Sequence, residues 1–115
     1  MGRTSSFFTE LVWEKQSAPG TYTWQAALKY CENLELAGQT DWRLPNMREL
    51  QSIVDYGRFK PAIDPVFEAS PNWYWSSSAF VGLSGYAGVV GFYNGGADDM
   101  DLGNEYFVRA VRNAP

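Results

Sequence analysis

The run Asp41-Trp42-Arg43-Leu44-Pro45-Asn46-Met47-Arg48-Glu49-Leu50 constrains the fold more than any other stretch of this 115-residue chain. Asn46 followed three residues later by Glu49 is a capping box, in which each side chain accepts from a backbone N–H that a new helix leaves without a partner. The spacing predicts a helix starting near Met47 and running to about Tyr56, with Leu50, Ile53 and Val54 on its apolar face and Gly57 as its stop. Upstream, Pro45 disfavours the α region for Leu44, so Trp42-Arg43-Leu44 must arrive extended. An aromatic, a cation and an aliphatic residue are thereby fixed in one stiff step that leads straight into a helix.

The same signals divide the rest of the chain. Within Phe7 to Lys15, Leu11 and Trp13 alternate with Glu10 and Glu14, the pattern of a half-buried strand. Pro19-Gly20 turns the chain and Thr23 is the N-cap of a first helix. Trp24, Leu28, Cys31 and Leu34 recur at helical spacing there, and Gly38 is expected to end the helix in a left-handed conformation. Pro61, Pro65 and Pro71 leave Arg58 to Trp73 irregular. Tyr74 to Phe80 and Tyr86 to Tyr93 read as strands, and Asn94-Gly95-Gly96 as a turn followed by an acidic loop. Tyr106 to Arg112 closes the chain as a strand expected to pair with the first. Two early helices and mostly late strands give an α+β class.

A chain of this length buries roughly two thirds of its unfolded surface, enough for one domain over residues 1–115. Five Trp, seven Tyr and seven Phe supply much of that area. The net charge of −4 repels phosphate backbones and anionic membranes, so nucleic acid is a poor partner. No apolar run reaches the ~18 to 20 residues that span a bilayer, so membrane insertion is not expected. No Lys or Arg lies between Lys60 and Arg109. With no histidine, Ser-His-Asp and Cys-His machinery and imidazole metal ligands are all unavailable. Cys31 is the one cysteine, which rules out an internal disulfide and reads as a small buried apolar residue.

The segment Asp41 to Pro45 resembles the Asp-Trp-Arg-Leu-Pro signature of a bacterial domain family typified by the C-terminal domain of a collagen-like surface adhesin. Four further stretches fall in that family's order and spacing: Leu11 to Glu14, Trp24 to Gly38, Tyr74 to Ser78 and Val108 to Arg112. The resemblance implies a C-type lectin-like fold, two helices packed on a small, mainly antiparallel sheet with long loops, in an extracellular, cell-surface or periplasmic setting. Met1-Gly2-Arg3 lacks the apolar stretch of a secretory signal, and the chain reads as one domain excised from a larger secreted protein. Many relatives carry a second cysteine at the counterpart of Ala110, paired with one in the first helix, and this chain does not. It also lacks the Glu-Pro-Asn, Gln-Pro-Asp and Trp-Asn-Asp triplets with which lectins of that fold hold calcium and sugar together. The adhesin's association with sulphated polysaccharides would carry over only if Arg43, Arg48 and Arg58 formed a basic patch.

Several groups have the chemistry of a site. Trp73, flanked by Pro71 and Asn72, is expected to be more exposed than Trp75, and with Tyr86, Tyr93 and Asn94 it offers flat faces and an amide to a sugar or a protein side chain. Asp98, Asp99, Asp101, Asn104 and Glu105 supply the hard oxygens Ca²⁺ takes, or a carboxylate pair for glycoside hydrolysis, or simply a solvated acidic loop. Asp41, Arg43, Arg109 and Arg112 read as internal braces between the capped helix and the last strand. The expectation is a non-catalytic module that requires no cofactor and binds a glycan or an extracellular protein through its late loops. Gly82, Ser84, Gly85, Tyr86, Gly95 and Gly96 give those loops an adaptable composition. An assembly module in a homo-oligomer and a carboxylate-based glycosidase are the alternatives.

Overall fold

Asn46 caps its helix as the spacing requires. The computed structural model describes residues 10–79 and 85–114, so Phe7, Phe80, Gly82 and Ser84 of the segments above lie outside the described residues. Asn46 is extended at φ −77° and ψ 172°, its Oδ1 accepts from Glu49 N at 2.8 Å, and Glu49 Oε1 accepts from Asn46 N at 2.9 Å. The elements in chain order are β1 (Leu11–Trp13), α1 (Trp24–Asn33), α2 (Met47–Ser52), β2 (Trp73–Ala79), β3 (Tyr86–Gly91), β4 (Gly96–Asp101) and β5 (Val111–Asn113).

β1 and β5 pair antiparallel, with Val12 opposite Arg112, so first and last strands meet as expected. β2, β3 and β4 form an antiparallel meander in that order, and β3 and β4 pair without slippage from Gly91↔Gly96 to Tyr86↔Asp101. The α+β class and the mainly antiparallel sheets therefore stand.

Three sequence-based boundaries move, each for a tertiary reason. α1 stops at Asn33, and Gly38 instead shares a tight turn with Ala37, both at positive φ (75° and 56°), between Leu36 and Gln39, which exchange two backbone hydrogen bonds. α2 ends at Ser52 because Val54 leaves it to bridge Ile63, and Asp55 N donates to Ala62 O at 2.8 Å. The segment expected as an acidic loop is largely strand: Asp98, Asp99 and Asp101 lie on β4, held there by the register of β3 despite their weak strand preference.

The expected closing strand is regular only over its last three residues, yet residues 106–111 form the spine of the molecule. Toward the N-terminal segment, Tyr106 exchanges backbone bonds with Tyr22, while Val108 O and Ala110 O accept from Ala18 N and Glu14 N at 2.9 Å each. Toward β2, Phe107 N donates to Trp73 O and Phe107 O accepts from Trp75 N, both at 3.0 Å.

Because successive residues of a strand face opposite sides, the β2–β3–β4 sheet carries a core on each face. One holds Ala27 and Cys31 of α1 with Trp42, Leu44, Trp75, Val89, Val108 and Ala110. The other holds Leu50, Ile63, Tyr74, Val90 and Phe92. Gly88 permits the close approach of α2, since a Cβ there would stand 2.7 Å from Met47 Sδ.

Candidate functional site

At the turn end of the meander, Trp73 of β2 lies across Gly91 of β3, whose missing side chain makes room for it; a Cβ on Gly91 would meet the indole at 3.1 Å. Beyond Gly91 the chain turns through Phe92 to Gly95 and returns as β4, a turn that needs Gly95 at φ 88°. Between this turn and the approach to β2 is an open cleft of about 410 Å³ lined by Pro71, Asn72, Trp73, Gly91, Tyr93 and Asn94, with Gly96 and Ala97 at its side. That volume sits toward the small end of the roughly 300–1,000 Å³ of ligand clefts. No charged side chain lines it. Asn72 Nδ2 donates to Ser70 Oγ at 2.7 Å, leaving its carboxamide oxygen unengaged among the described residues. Asn94 Oδ1 accepts from Gly96 N at 2.9 Å, leaving its NH₂ unengaged in the same sense. The cleft thus offers two aromatic rings, one amide acceptor and one amide donor.

Trp73, Tyr93 and Asn94 come together here as the sequence suggested, and Tyr86 does not. Tyr86 pairs with Asp101 at the far end of β3, five residues or ~17 Å of strand from Gly91. Trp75 is fully buried, in keeping with its assignment to the core. Asn72 and the glycine floor were missed as site residues, although Pro71-Asn72 beside an exposed Trp was a usable signal.

The oxygens proposed for a cation do not converge. Asp98 and Asp99 are neighbours on a strand and so point to opposite faces. Asp98 Oδ1 accepts from Asp99 N at 2.8 Å and Asp101 Oδ1 from Gly103 N at 2.8 Å. Glu105 Oε1 accepts from Thr21 Oγ1 at 3.3 Å, and Asn104 donates to the Tyr106 hydroxyl at 3.1 Å. Among the described residues no group of three or more His, Cys, Asp or Glu is placed to hold a metal ion. Nor do the arginines form a free basic patch, because Arg43 is paired with Glu49 and Arg58 with Asp55.

On the other side of the molecule the motif arginines fasten the chain to itself. Arg43 exchanges backbone bonds with Val111 at 2.8 Å each, and its guanidinium holds both Glu49 oxygens at 2.7 and 2.8 Å and Asn113 Oδ1 at 2.8 Å. Arg112 reaches Asp41 at 2.6 Å and Gln39 at 3.1 Å. Arg109 is wholly buried; it donates to the carbonyls of Glu14 and Lys15 and, at 2.7 Å, of Glu68, and lies 5.2 Å from the Phe67 ring centre. Glu14, itself buried, accepts from Ala110 N at 2.9 Å and from the Tyr30 hydroxyl at 2.7 Å, tying α1 to the spine. Burial, and then the bond to Glu14, push the Tyr30 phenol well above its ordinary pKa. Burial likewise pushes the Cys31 thiol up to about 12, as expected of an unreactive core residue.

These braces fall on the stretches that resemble the adhesin domains, and a family model described as the Lcl C-terminal domain matches residues 5–112. The chain belongs to the Lcl C-terminal domain family. A comparison with curated proteins gave no match. In this Lcl C-terminal domain the signature Asp41 to Pro45 is a brace: Trp42 and Leu44 enter the core while Arg43 and Asp41 grip the last strand.

Arg43→Ala is expected to lower the melting temperature by about 4 °C, since a partly exposed bidentate pair contributes about 1 kcal/mol. The Glu49 carboxyl is held below its usual range first by Arg43 and then, against some desolvation, by Asn46 N–H. A lowered folded-state pKa means the pair stabilises the fold above the unfolded value of about 4.3 and loses that contribution as pH falls through the folded value. Melting curves of Glu49→Gln should therefore show a smaller loss of stability between neutral and acid pH than those of the parent chain.

Proposed function

We propose that this domain is a non-catalytic recognition module that binds an uncharged carbohydrate in the cleft between Trp73 and Tyr93. The observation that carries the reading is the cleft's lining: two aromatic rings beside an unengaged amide acceptor and an unengaged amide donor, with no charged group among them. Aromatic faces stack on the C–H face of a pyranose, while a donor and an acceptor suit its hydroxyls. The absence of histidine and the separation of Asp98, Asp99 and Asp101 favour binding over hydrolysis. Pairing of Arg43 and Arg58 with carboxylates argues against a sulphated polymer. The reading includes a C-type lectin-like fold and an extracellular or periplasmic setting, both drawn from the resemblance.

A glycan array of uncharged and sulphated sugars, run with and without a calcium chelator, tests it. The expected result is binding to uncharged sugars that survives chelation and falls at least about tenfold in Tyr93→Ala, a change of about 1.4 kcal/mol. Tyr93 is 46% exposed, so this substitution should leave the melting temperature nearly unchanged. Retention only of sulphated sugars, or loss of all binding on chelation, contradicts the reading. An assembly module is the second reading, favoured by the exposure of Tyr56, Phe59 and Val66. A concentration-independent oligomer in sedimentation, without sugar binding, would select it.

A further inference from the structure

A second cleft, of about 350 Å³, adjoins the first and is lined by Arg58, Phe59, Pro61, Ile63 and Pro65. It lies in the segment whose prolines prevent regular structure, yet that segment is fixed to the meander's turn. Lys60 N donates to Tyr93 O at 2.9 Å and Ala62 N to Phe92 O at 2.7 Å. The consequence is a ring pair between the clefts: Phe59, from the wall of the second, meets Tyr93, from the wall of the first, edge to face at a centroid distance of 4.7 Å. Both rings stay largely in solvent, Phe59 at 61% and Tyr93 at 46% exposed. An isolated pair of rings buried for stability would not be left so open.

The polar groups at the second cleft are compensated. Arg58 Nε is 3.1 Å from Asp55 Oδ2, so the guanidinium brings its own counter-charge and keeps N–H donors for a neutral acceptor. Lys60 Nζ sits 5.8 Å from the Tyr93 ring centre with no ion-pair partner among the described residues. Taken in order, Trp73, Tyr93 and Phe59 form three ring surfaces along one edge, with hydrogen-bonding groups from Asn72, Asn94 and Arg58 beside them.

We infer that the two clefts are successive subsites for one extended chain of flat-faced, uncharged pyranose rings that crosses the Phe59–Tyr93 ridge, so that the ligand is an oligosaccharide and not a terminal monosaccharide. β-1,4-linked sugars fit this geometry, because their rings present apolar C–H faces in a linear array while the hydroxyls project at the edges. This inference rests on the reading of the first cleft as a sugar site and adds the ligand's length and shape.

Calorimetric titration with cello-, manno- and chito-oligosaccharides of two and six units tests it on the intact chain and on Phe59→Ala. A six-unit chain gains up to about fivefold on any single site simply by offering more registers, so a larger gain is needed to signal a second subsite. In the parent chain the six-unit member of at least one series should bind about thirtyfold or more tightly than its two-unit member. In Phe59→Ala the gain should shrink to about fivefold or less while the two-unit affinity stays the same, which a merely structural role for Phe59 would not produce. Equal gains in both proteins, or equal weakening of both lengths in Phe59→Ala, would overturn the second subsite and leave the first cleft's role intact. Failure of every sugar to bind would overturn both.

Discussion

Arg109→Met is expected to lower the melting temperature by roughly 12–20 °C, the equivalent of about 3–5 kcal/mol at about 4 °C per kcal/mol. The guanidinium is fully buried yet faces no carboxylate; it is held by backbone carbonyls of Glu14, Lys15 and Glu68, which lie far from it in sequence. Burial works against the charge and draws the Arg109 pKa down, and Nε has no acceptor. What compensates is the convergence of carbonyl dipoles and the faces of Phe67 and Tyr74, 5.2 and 6.0 Å away. Methionine fills much of the volume but offers no donor, so the Glu14 carbonyl loses its partner in the interior. Arg109→Lys keeps one charge and fewer donors, and its melting temperature should fall between the two. Thermal denaturation of the three proteins checks the order; a Met variant as stable as the parent would show that the cation is dispensable to the fold.

Trp75→Ala should be nearly as costly, about 3–5 kcal/mol, through the cavity it leaves. Trp75 is buried at the centre of the first core cluster, in edge contact with Tyr106 at 5.1 Å, and its Nε1 donates to Tyr22 O at 2.6 Å. The side chain therefore packs the spine and bonds the segment that leads into α1. Trp75→Phe restores most of the volume without the donor, and Tyr22 O still accepts from Tyr106 N. Its expected cost is about 1 kcal/mol for the lost hydrogen bond plus partial underpacking. Chemical denaturation with unchanged slope and a midpoint shift at least twice as large for Ala as for Phe is the expected result.

The sequence was most readable where structure is local. Thr23 and Asn46 cap the helices as their spacing implies, because a capping side chain contacts only its own first turn. Trp75 and Cys31 could be assigned to the core from motif and helical spacing alone. The helix ends could not be placed, since α2 is cut short by Val54 bridging Ile63 and Asp55 bonding to Ala62. The acids of β4 hid a strand, because an exposed strand held by its neighbour needs little intrinsic preference. Tyr86 was grouped with Tyr93 on composition, and only the register of β3 with β4 separates them. Phe59 gave no sequence signal as a site residue: its position beside Tyr93 depends on the bond from Lys60 N to Tyr93 O. The four arginine and aspartate braces were legible as a group, but the acceptors of Arg109 were not, since backbone carbonyls leave no mark in a sequence.

The account divides the molecule into a braced side, where the signature and the last strand hold each other, and an open side, where the two clefts meet at Tyr93. Measuring both melting and oligosaccharide affinity in Arg43→Ala and Tyr93→Ala tests that division directly. Arg43→Ala should melt about 4 °C lower and bind the six-unit sugar with parent affinity at 15 °C, while Tyr93→Ala should keep the parent melting temperature and lose binding at least about tenfold. Loss of binding in a folded Arg43→Ala protein, with binding retained in Tyr93→Ala, would contradict it.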